Sequence, residues 1–140
     1  MADDEVRRVE VFFYGLFMDE ALLRGKGVDP KNRRLAFVDN FGLIIGARAT
    51  LVRRAGRKVY GVLFSLTHAE VDALYSESSV SAYRPEAVMA QVADGSLVPA
   101  LCFNLPVEPS PDERNPEYAA KLREVAKGIG LPVDYVSSIN

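Results

Sequence analysis

The order of apolar and polar residues predicts strands through the middle of the chain and helices around them. A run of aromatic and β-branched residues predicts a strand over residues 9–14, and further apolar runs predict strands over residues 83–93 and 97–104. Between them, the segment "NRRLAFVDNFGLIIGARATLVRRAGRKVYGVLFSLT" is rich in strand-forming residues. This pattern predicts the α+β class: a small mixed β-barrel of about five to six strands with helices packed around it.

Turn-forming pairs divide the strand-rich segment. Asp39-Asn40 and Ala55-Gly56 are both turn signals, and residues 50–54 and 57–66 on either side of the second pair predict a hairpin. Gly61, in the middle of "VYGVLF", predicts a bulge or the close approach of another backbone. The basic residues at this place would then surround a solvated hairpin turn: Arg53, Arg54, Arg57 and Lys58.

Helix boundaries are marked by capping residues. Residues 19–24 can form a short helix, and Thr67 with Glu70 forms a capping box that opens a helix ending near Ser76. Asn115 followed by Pro116 opens the clearest helix, which is predicted to run to residue 129 before a short terminal helical turn.

Composition limits the classes of function. A chain of 140 residues is long enough for one domain with a core, so we expect a single domain over residues 1–140. The net charge of −2 does not fit a nucleic-acid-binding domain, and a single cysteine excludes a disulfide framework. The sequence has neither an apolar stretch of membrane-spanning length nor a signal-peptide core, so we expect a cytoplasmic protein, monomer or homodimer, without membrane contact.

The single histidine and the single cysteine exclude most familiar catalytic arrangements. The single histidine, His68, lies in the predicted capping box, and Cys102 alternates with apolar neighbours in a predicted strand, which favours a buried thiol. His68, Glu70 and Asp72 are too few and poorly spaced for a metal site, so no metal and no cofactor are expected.

Two features remain as candidate chemistry. Glu77 follows a helix, where the helix dipole disfavours a negative charge, so it is a candidate general acid and base. Gly15 permits a sharp turn after the first strand, and the amides of Gly15, Leu16 and Phe17 could together bind an anion. The alternatives are a solvent-exposed glutamate and a core strand that leaves through a glycine turn.

The order of several short motifs resembles that of the γ-glutamylcyclotransferase-like family, which includes AIG2-like proteins and γ-glutamylamine cyclotransferases. The motifs are "YG" after the first strand, "VYGVLF", a helix followed by Glu77, "YRPEAV", and a C-terminal helix followed by "GLPVDY". The resemblance extends from about Phe12 to Ile139.

The resemblance implies roles for particular residues. In the family a "YGSN" or "YGTL" turn holds the glutamyl carboxylate through its backbone amides, and the matching residues here are Tyr14, Gly15, Leu16 and Phe17. The catalytic glutamate matches Glu77. Tyr118 matches a tyrosine that closes over the substrate, and Tyr83 is a further substrate-binding candidate.

The sequence departs from the family pattern in two places. Leu16 and Phe17 replace small or polar residues of the turn, which makes the pocket narrower or more apolar. The family spacing "LDxxE", counted from Leu74, falls on Ser78 rather than Glu77. Either a one-residue shortening keeps Glu77 in place, or the catalytic acid is missing and the fold only binds; Glu70 and Glu86 are poorer candidates.

The activity implied by the resemblance is an intramolecular acyl transfer. A γ-glutamyl amine or peptide, the expected small-molecule partner, would cyclise to 5-oxoproline and release a free amine, with Glu77 as general acid and base and no cofactor. The alternatives are a non-catalytic small-carboxylate-binding or interaction module, or a different acyl-transfer or hydrolytic reaction, because a fold does not determine its function.

Overall fold

Five strands close into a barrel in the computed structural model, which describes residues 7–140. The strands are β1 (Arg8–Phe13), β2 (Lys31–Ile45), β3 (Ala49–Thr67), β4 (Arg84–Val92) and β5 (Leu97–Asn104). Their order around the barrel is β1-β3-β2-β4-β5, and β5 closes it by pairing in parallel with β1, while the other pairs are antiparallel. The predicted mixed barrel of the α+β class is confirmed.

Short helices surround the barrel, and a 3₁₀ turn, Leu16–Met18, follows β1. The helices are α1 (Glu20–Gly25), α2 (His68–Leu74), α3 (Pro116–Gly128) and α4 (Val133–Ser138). None of them is long and apolar enough to cross a membrane.

The predicted caps are present at the two best-marked helix starts. The Thr67 hydroxyl accepts a hydrogen bond from the Glu70 amide at 3.1 Å, and the Glu70 carboxylate accepts one from the Thr67 amide at 2.8 Å. This is the capping box that opens α2. At α3, the Asn115 side chain accepts a hydrogen bond from the Tyr118 amide at 3.1 Å, which fixes the first turn that carries Tyr118.

The sequence predicts turns at two residue pairs, Asp39-Asn40 and Ala55-Gly56. In the structure these pairs lie opposite each other within one long two-stranded ribbon. The predicted hairpin between residues 50–54 and 57–66 is therefore wrong, because β3 continues through both segments and pairs with β2 on either side of an irregularity. Asn40 and Gly56 do have positive φ angles, of 64° and 79°, and the Gly56 amide donates to the Asn40 side chain at 3.0 Å. The turn-forming residues therefore do have unusual backbone angles, but they mark a β-bulge and not a reversal of the chain.

The chain reverses between β2 and β3 at residues 46–48, where the Gly46 amide donates to the Arg48 carbonyl at 3.0 Å. The basic residues assigned to a turn are exposed within β3 instead, and two of them form ion pairs at 3.0 Å, Arg53 with Glu86 and Arg54 with Glu108.

Alternate residues of β1 face two different cores. Val11 and Phe13 belong to the core between the barrel and the helices, whereas Phe12 and Tyr14 belong to the barrel interior. Cys102 lies in the barrel interior and is fully buried, as predicted, and burial raises the pKa of its thiol above the usual range.

Gly61 allows the end of β1 to lie against β3, which confirms the predicted close backbone approach. A Cβ atom at Gly61 would overlap the carbonyl oxygen of Phe13 and lie 2.9 Å from Cζ of Phe12. The absence of a side chain at Gly61 therefore fixes where β1 ends and where the loop after it begins.

Candidate functional site

A cavity of about 380 Å³ opens where β1 ends, between the 3₁₀ turn, the loop after α2 and the start of α3. Its volume lies near the lower end of the usual range for small-molecule sites. All of the site residues predicted from the sequence line it: Tyr14, Gly15, Leu16, Phe17, Glu77, Tyr83 and Tyr118. The structure therefore brings these residues together, while their roles in binding and catalysis remain predictions.

The three residues of the glycine turn, Gly15, Leu16 and Phe17, line the cavity. Gly15 is extended, and the 3₁₀ turn that follows is closed by the Met18 amide, which donates to the Gly15 carbonyl at 3.0 Å. Within the part of the chain that the structure describes, the amides of Gly15, Leu16 and Phe17 donate to no backbone carbonyl. Amides left without backbone partners at such a turn can bind an anion.

Tyr118 lies directly over Gly15. Its hydroxyl is 2.7 Å from the position that a Cβ atom of residue 15 would occupy, so only glycine leaves room for it. Burial raises the pKa of Tyr118, and the neighbouring backbone of Leu16 acts in the opposite direction. The tyrosine therefore stays neutral and covers the loop from the opposite end of the chain.

Glu77 and Lys26 form an ion pair at the cavity wall. Lys26 Nζ donates to both carboxylate oxygens of Glu77, at 2.9 and 3.0 Å. Lys26 caps the C-terminus of α1, and Glu77 lies in the loop after α2, so the pair connects two segments that are distant in sequence. The Glu77 side chain is 42% exposed, which places its carboxylate in the cavity and within reach of solvent.

Aromatic rings form much of the wall. The ring of Phe17 packs edge-on against both Phe13 and Tyr75, with ring centroids 6.0 and 5.9 Å apart. Tyr75 in turn stacks on Phe103 at 4.0 Å. This chain of contacts holds the Phe17 ring in place and gives the cavity a rigid apolar side.

Two tyrosine hydroxyls hold the wall together instead of pointing freely into the cavity. The Tyr14 hydroxyl donates to the Phe103 carbonyl at 2.8 Å, and the Tyr83 hydroxyl donates to the Ala49 carbonyl. Burial raises the pKa of Tyr83 to about 12 and that of Tyr14 well above its usual range. Both rings therefore shape the cavity, and both hydroxyls stay neutral at ordinary pH.

Sequence reasoning missed several lining residues: Leu22, Lys26, Arg48, Tyr75, Ser79 and Val80. Of these, Arg48 carries a second positive charge. Its guanidinium lies 3.5 Å from the Ser79 carbonyl, and no carboxylate of the described residues comes within 4.0 Å of it. A correct placement of the β2–β3 turn at residues 46–48 would have indicated Arg48, whereas Lys26 gives no signal in the sequence.

Several other candidates lie outside this cavity. His68 begins α2, Glu70 closes the capping box, and Glu86 contacts Arg53 and Asn104. Within residues 7–140, no group of three histidine, cysteine or acidic residues is arranged to hold a metal ion.

Comparison with known proteins places the chain in a family. The family model described as gamma-glutamyl cyclotransferase, AIG2-like, matches residues 11–121. A comparison with curated proteins gives no match.

Solved structures share the fold at low sequence identity. A structure described as a gamma-glutamyl cyclotransferase superposes with a TM-score of 0.77 at 18% identity, over 96% of this chain and 89% of its own. An uncharacterized protein from Homo sapiens gives 0.74 at 20%, over 95% and 88%. An AIG2-like protein from Mus musculus gives 0.56 at 16%, over 90% and 85%.

Proposed function

Because the chain belongs to the gamma-glutamyl cyclotransferase, AIG2-like family, we propose that it converts a γ-glutamyl amine or γ-glutamyl peptide to 5-oxoproline and a free amine. Glu77 is the general acid and base of this reaction, and the amides after Tyr14 bind the glutamyl α-carboxylate.

One observation carries the proposal. Glu77, the glycine turn at residues 15–17 and the covering Tyr118 line one small cavity, although Gly15 and Tyr118 are more than 100 residues apart in the sequence. These are the groups that the reaction needs: an anion site to orient the substrate and a proton acceptor beside it.

The proton transfers follow from the substrate's own groups. The α-ammonium group must lose a proton before its nitrogen can attack the γ-carbonyl carbon, and the Glu77 carboxylate accepts that proton. The protonated carboxyl then gives it to the departing nitrogen as the C–N bond breaks, and the second proton lost by the α-nitrogen passes through the same carboxylate to the released amine. Because both reacting groups belong to one molecule, holding the α-carboxylate in the amide turn supplies much of the rate.

The apolar walls assist the same steps. Desolvation strengthens the interactions between the amide turn and a bound carboxylate, since charges interact more strongly in a region of low dielectric constant. Tyr118, above Gly15, would limit the access of water to the turn.

The test is a direct assay for 5-oxoproline. Purified protein is incubated with γ-glutamyl amino acids, γ-glutamyl amines and glutathione, and Glu77→Gln is assayed in parallel. We expect product from wild type and a loss of about 10²-fold or more in the variant, the contribution typical of a general acid or base. Activity that survives in a folded Glu77→Gln protein would assign the acid to another residue.

A second candidate function is a non-catalytic module that binds a small carboxylate. The contact that favours it is the one between Lys26 and both oxygens of Glu77, because it already occupies the hydrogen-bonding positions of the carboxylate that a substrate would need. This alternative predicts binding of γ-glutamyl compounds without any release of amine.

A further inference from the structure

The cavity wall beyond the amide turn is apolar in three separate segments. Phe17 lies in the 3₁₀ turn, Leu22 in α1 and Val80 in the loop after α2, and all three line the cavity. Each is neither fully buried nor fully exposed, so their exposed parts face a space that solvent or a ligand can occupy.

Several polar groups of this wall already have partners, whereas Arg48, which also lines the cavity, has no carboxylate within 4.0 Å among the described residues. Lys26 donates to Glu77, and the hydroxyls of Tyr14 and Tyr83 donate to backbone carbonyls. A polar side chain of the leaving group that packed against Phe17, Leu22 and Val80 would lose its hydrogen bonds to water, and these apolar side chains offer no partner in exchange, which costs free energy.

The wall is also packed from behind. The ring of Phe17 lies edge-on against both Phe13 and Tyr75, with ring centroids 6.0 and 5.9 Å apart. Such an apolar surface favours the binding of an apolar ligand, because binding removes apolar surface of the ligand and of the wall from water.

From these contacts we infer that the amine released by this protein carries an apolar side chain, bound against Phe17, Leu22 and Val80. This inference rests on the proposed cyclotransferase function. It narrows the substrate to γ-glutamyl derivatives of apolar amines or apolar amino acids, as opposed to polar or charged ones.

The reaction balances without water or another reactant. A bond forms between the α-nitrogen and the γ-carbonyl carbon, and the bond from that carbon to the leaving nitrogen breaks. Of the three protons on the α-ammonium group, one stays on the lactam nitrogen and two end on the released amine, which departs as an ammonium ion. The apolar side chain of that amine takes no part in the bond changes and contributes binding only.

The test compares two substrates of nearly equal shape, γ-glutamyl-leucine and γ-glutamyl-asparagine. We expect kcat/KM for the leucine compound to be about tenfold higher or more, because an apolar pocket discriminates against an unpaired amide. Leu22→Ser should reduce this ratio several-fold. The matched control is Leu35→Ser, since Leu35 is also a part-exposed leucine but does not line the cavity, and it should leave the ratio unchanged.

A binding measurement separates the proposed cyclotransferase function from the proposed apolar subsite for the released amine. The affinity of Glu77→Gln for both compounds is measured by calorimetry, where catalysis is not needed. Turnover of both compounds at similar kcat/KM would overturn the inference and leave the cyclotransferase function standing. Tighter binding of the leucine compound without turnover in wild type would support the apolar subsite and overturn the function. Absence of both binding and turnover would overturn both.

Discussion

The ammonium group of Lys26 lies 2.9 and 3.0 Å from the two carboxylate oxygens of Glu77, so one cation donates hydrogen bonds to both oxygens of the proposed catalytic acid. The contact connects the end of α1 to the loop after α2, and both residues line the cavity. Because both side chains are partly exposed, the pair is expected to affect positioning more than global stability.

Replacement of Lys26 should separate these two effects. We expect Lys26→Met to lower kcat about tenfold, since a carboxylate that is no longer oriented accepts the proton less efficiently, while the thermal unfolding midpoint stays close to that of wild type. Lys26→Arg should recover part of the activity. The control is Lys31→Met, which breaks the exposed pair with Asp29 at 2.8 Å, away from the cavity. Unchanged kcat in Lys26→Met would contradict the positioning role.

The contact between Gly15 and Tyr118 predicts a coupled pair of mutations. In Gly15→Ala the new methyl group would lie 2.7 Å from the Tyr118 hydroxyl, so the tyrosine must move and kcat/KM should fall about tenfold or more. Removing that hydroxyl in Gly15→Ala/Tyr118→Phe should restore part of the loss. A double-mutant cycle on kcat/KM measures the coupling, and additive effects would show that the two residues act independently.

Gly61 should be essential for stability. A side chain there would overlap the Phe13 carbonyl, so we expect Gly61→Ala to lower the free energy of unfolding by at least about 2 kcal/mol. Gly128→Ala is the matched control, because nothing lies within 4 Å of its Cβ position at the end of α3. Urea unfolding of both variants measures the difference; equal midpoints would mean that β1 adjusts without cost.

Arg48 offers a test for a second carboxylate in the substrate. Its guanidinium lines the cavity and has no ion-pair partner within 4.0 Å among the described residues. If the released amine is an α-amino acid, Arg48→Met should raise KM for γ-glutamyl-leucine several-fold and leave KM for the γ-glutamyl amide of isopentylamine unchanged. Equal effects on both compounds would assign Arg48 to the glutamyl part instead.

The buried tyrosines predict a loss of stability at alkaline pH. Folding raises the pKa of Tyr83 from about 10 to about 12, so between these values the folded state holds a proton that the unfolded state has lost. The contribution of Tyr83 is therefore complete below pH 10 and is lost as the pH rises towards 12. Urea midpoints at pH 9 and 11 measure the loss for wild type, and Tyr83→Phe should lose less between the two values. Equal decreases of the urea midpoint in wild type and in Tyr83→Phe would show that Tyr83 is not the source of the loss.

The cavity could be predicted from sequence to the extent that it is formed by short, ordered motifs. The "YG" turn, Glu77, Tyr83 and Tyr118 each lie beside a predicted strand or helix end, and the resemblance of their order to that of the γ-glutamylcyclotransferase-like family implied that they share one site. The capping box at Thr67 and the cap at Asn115 could also be predicted from the sequence, because a helix cap depends only on residues that are close in the chain.

The missed features depend on contacts between distant segments. Asn40 and Gly56 have the backbone angles of turn residues, yet they face each other because β2 and β3 pair on both sides of them. Lys26 ends an ordinary short helix, and only the folded chain brings it to Glu77. No local sequence pattern predicts either the pairing of β2 with β3 around Asn40 and Gly56 or the contact of Lys26 with Glu77.

The contact of Tyr118 with Gly15 also has a consequence for the order of events during biosynthesis. The chain is synthesised from its N-terminus, so the ring that covers the amide turn is added more than 100 residues after the turn itself. A nascent chain therefore carries an open, incomplete site until α3 has emerged and docked.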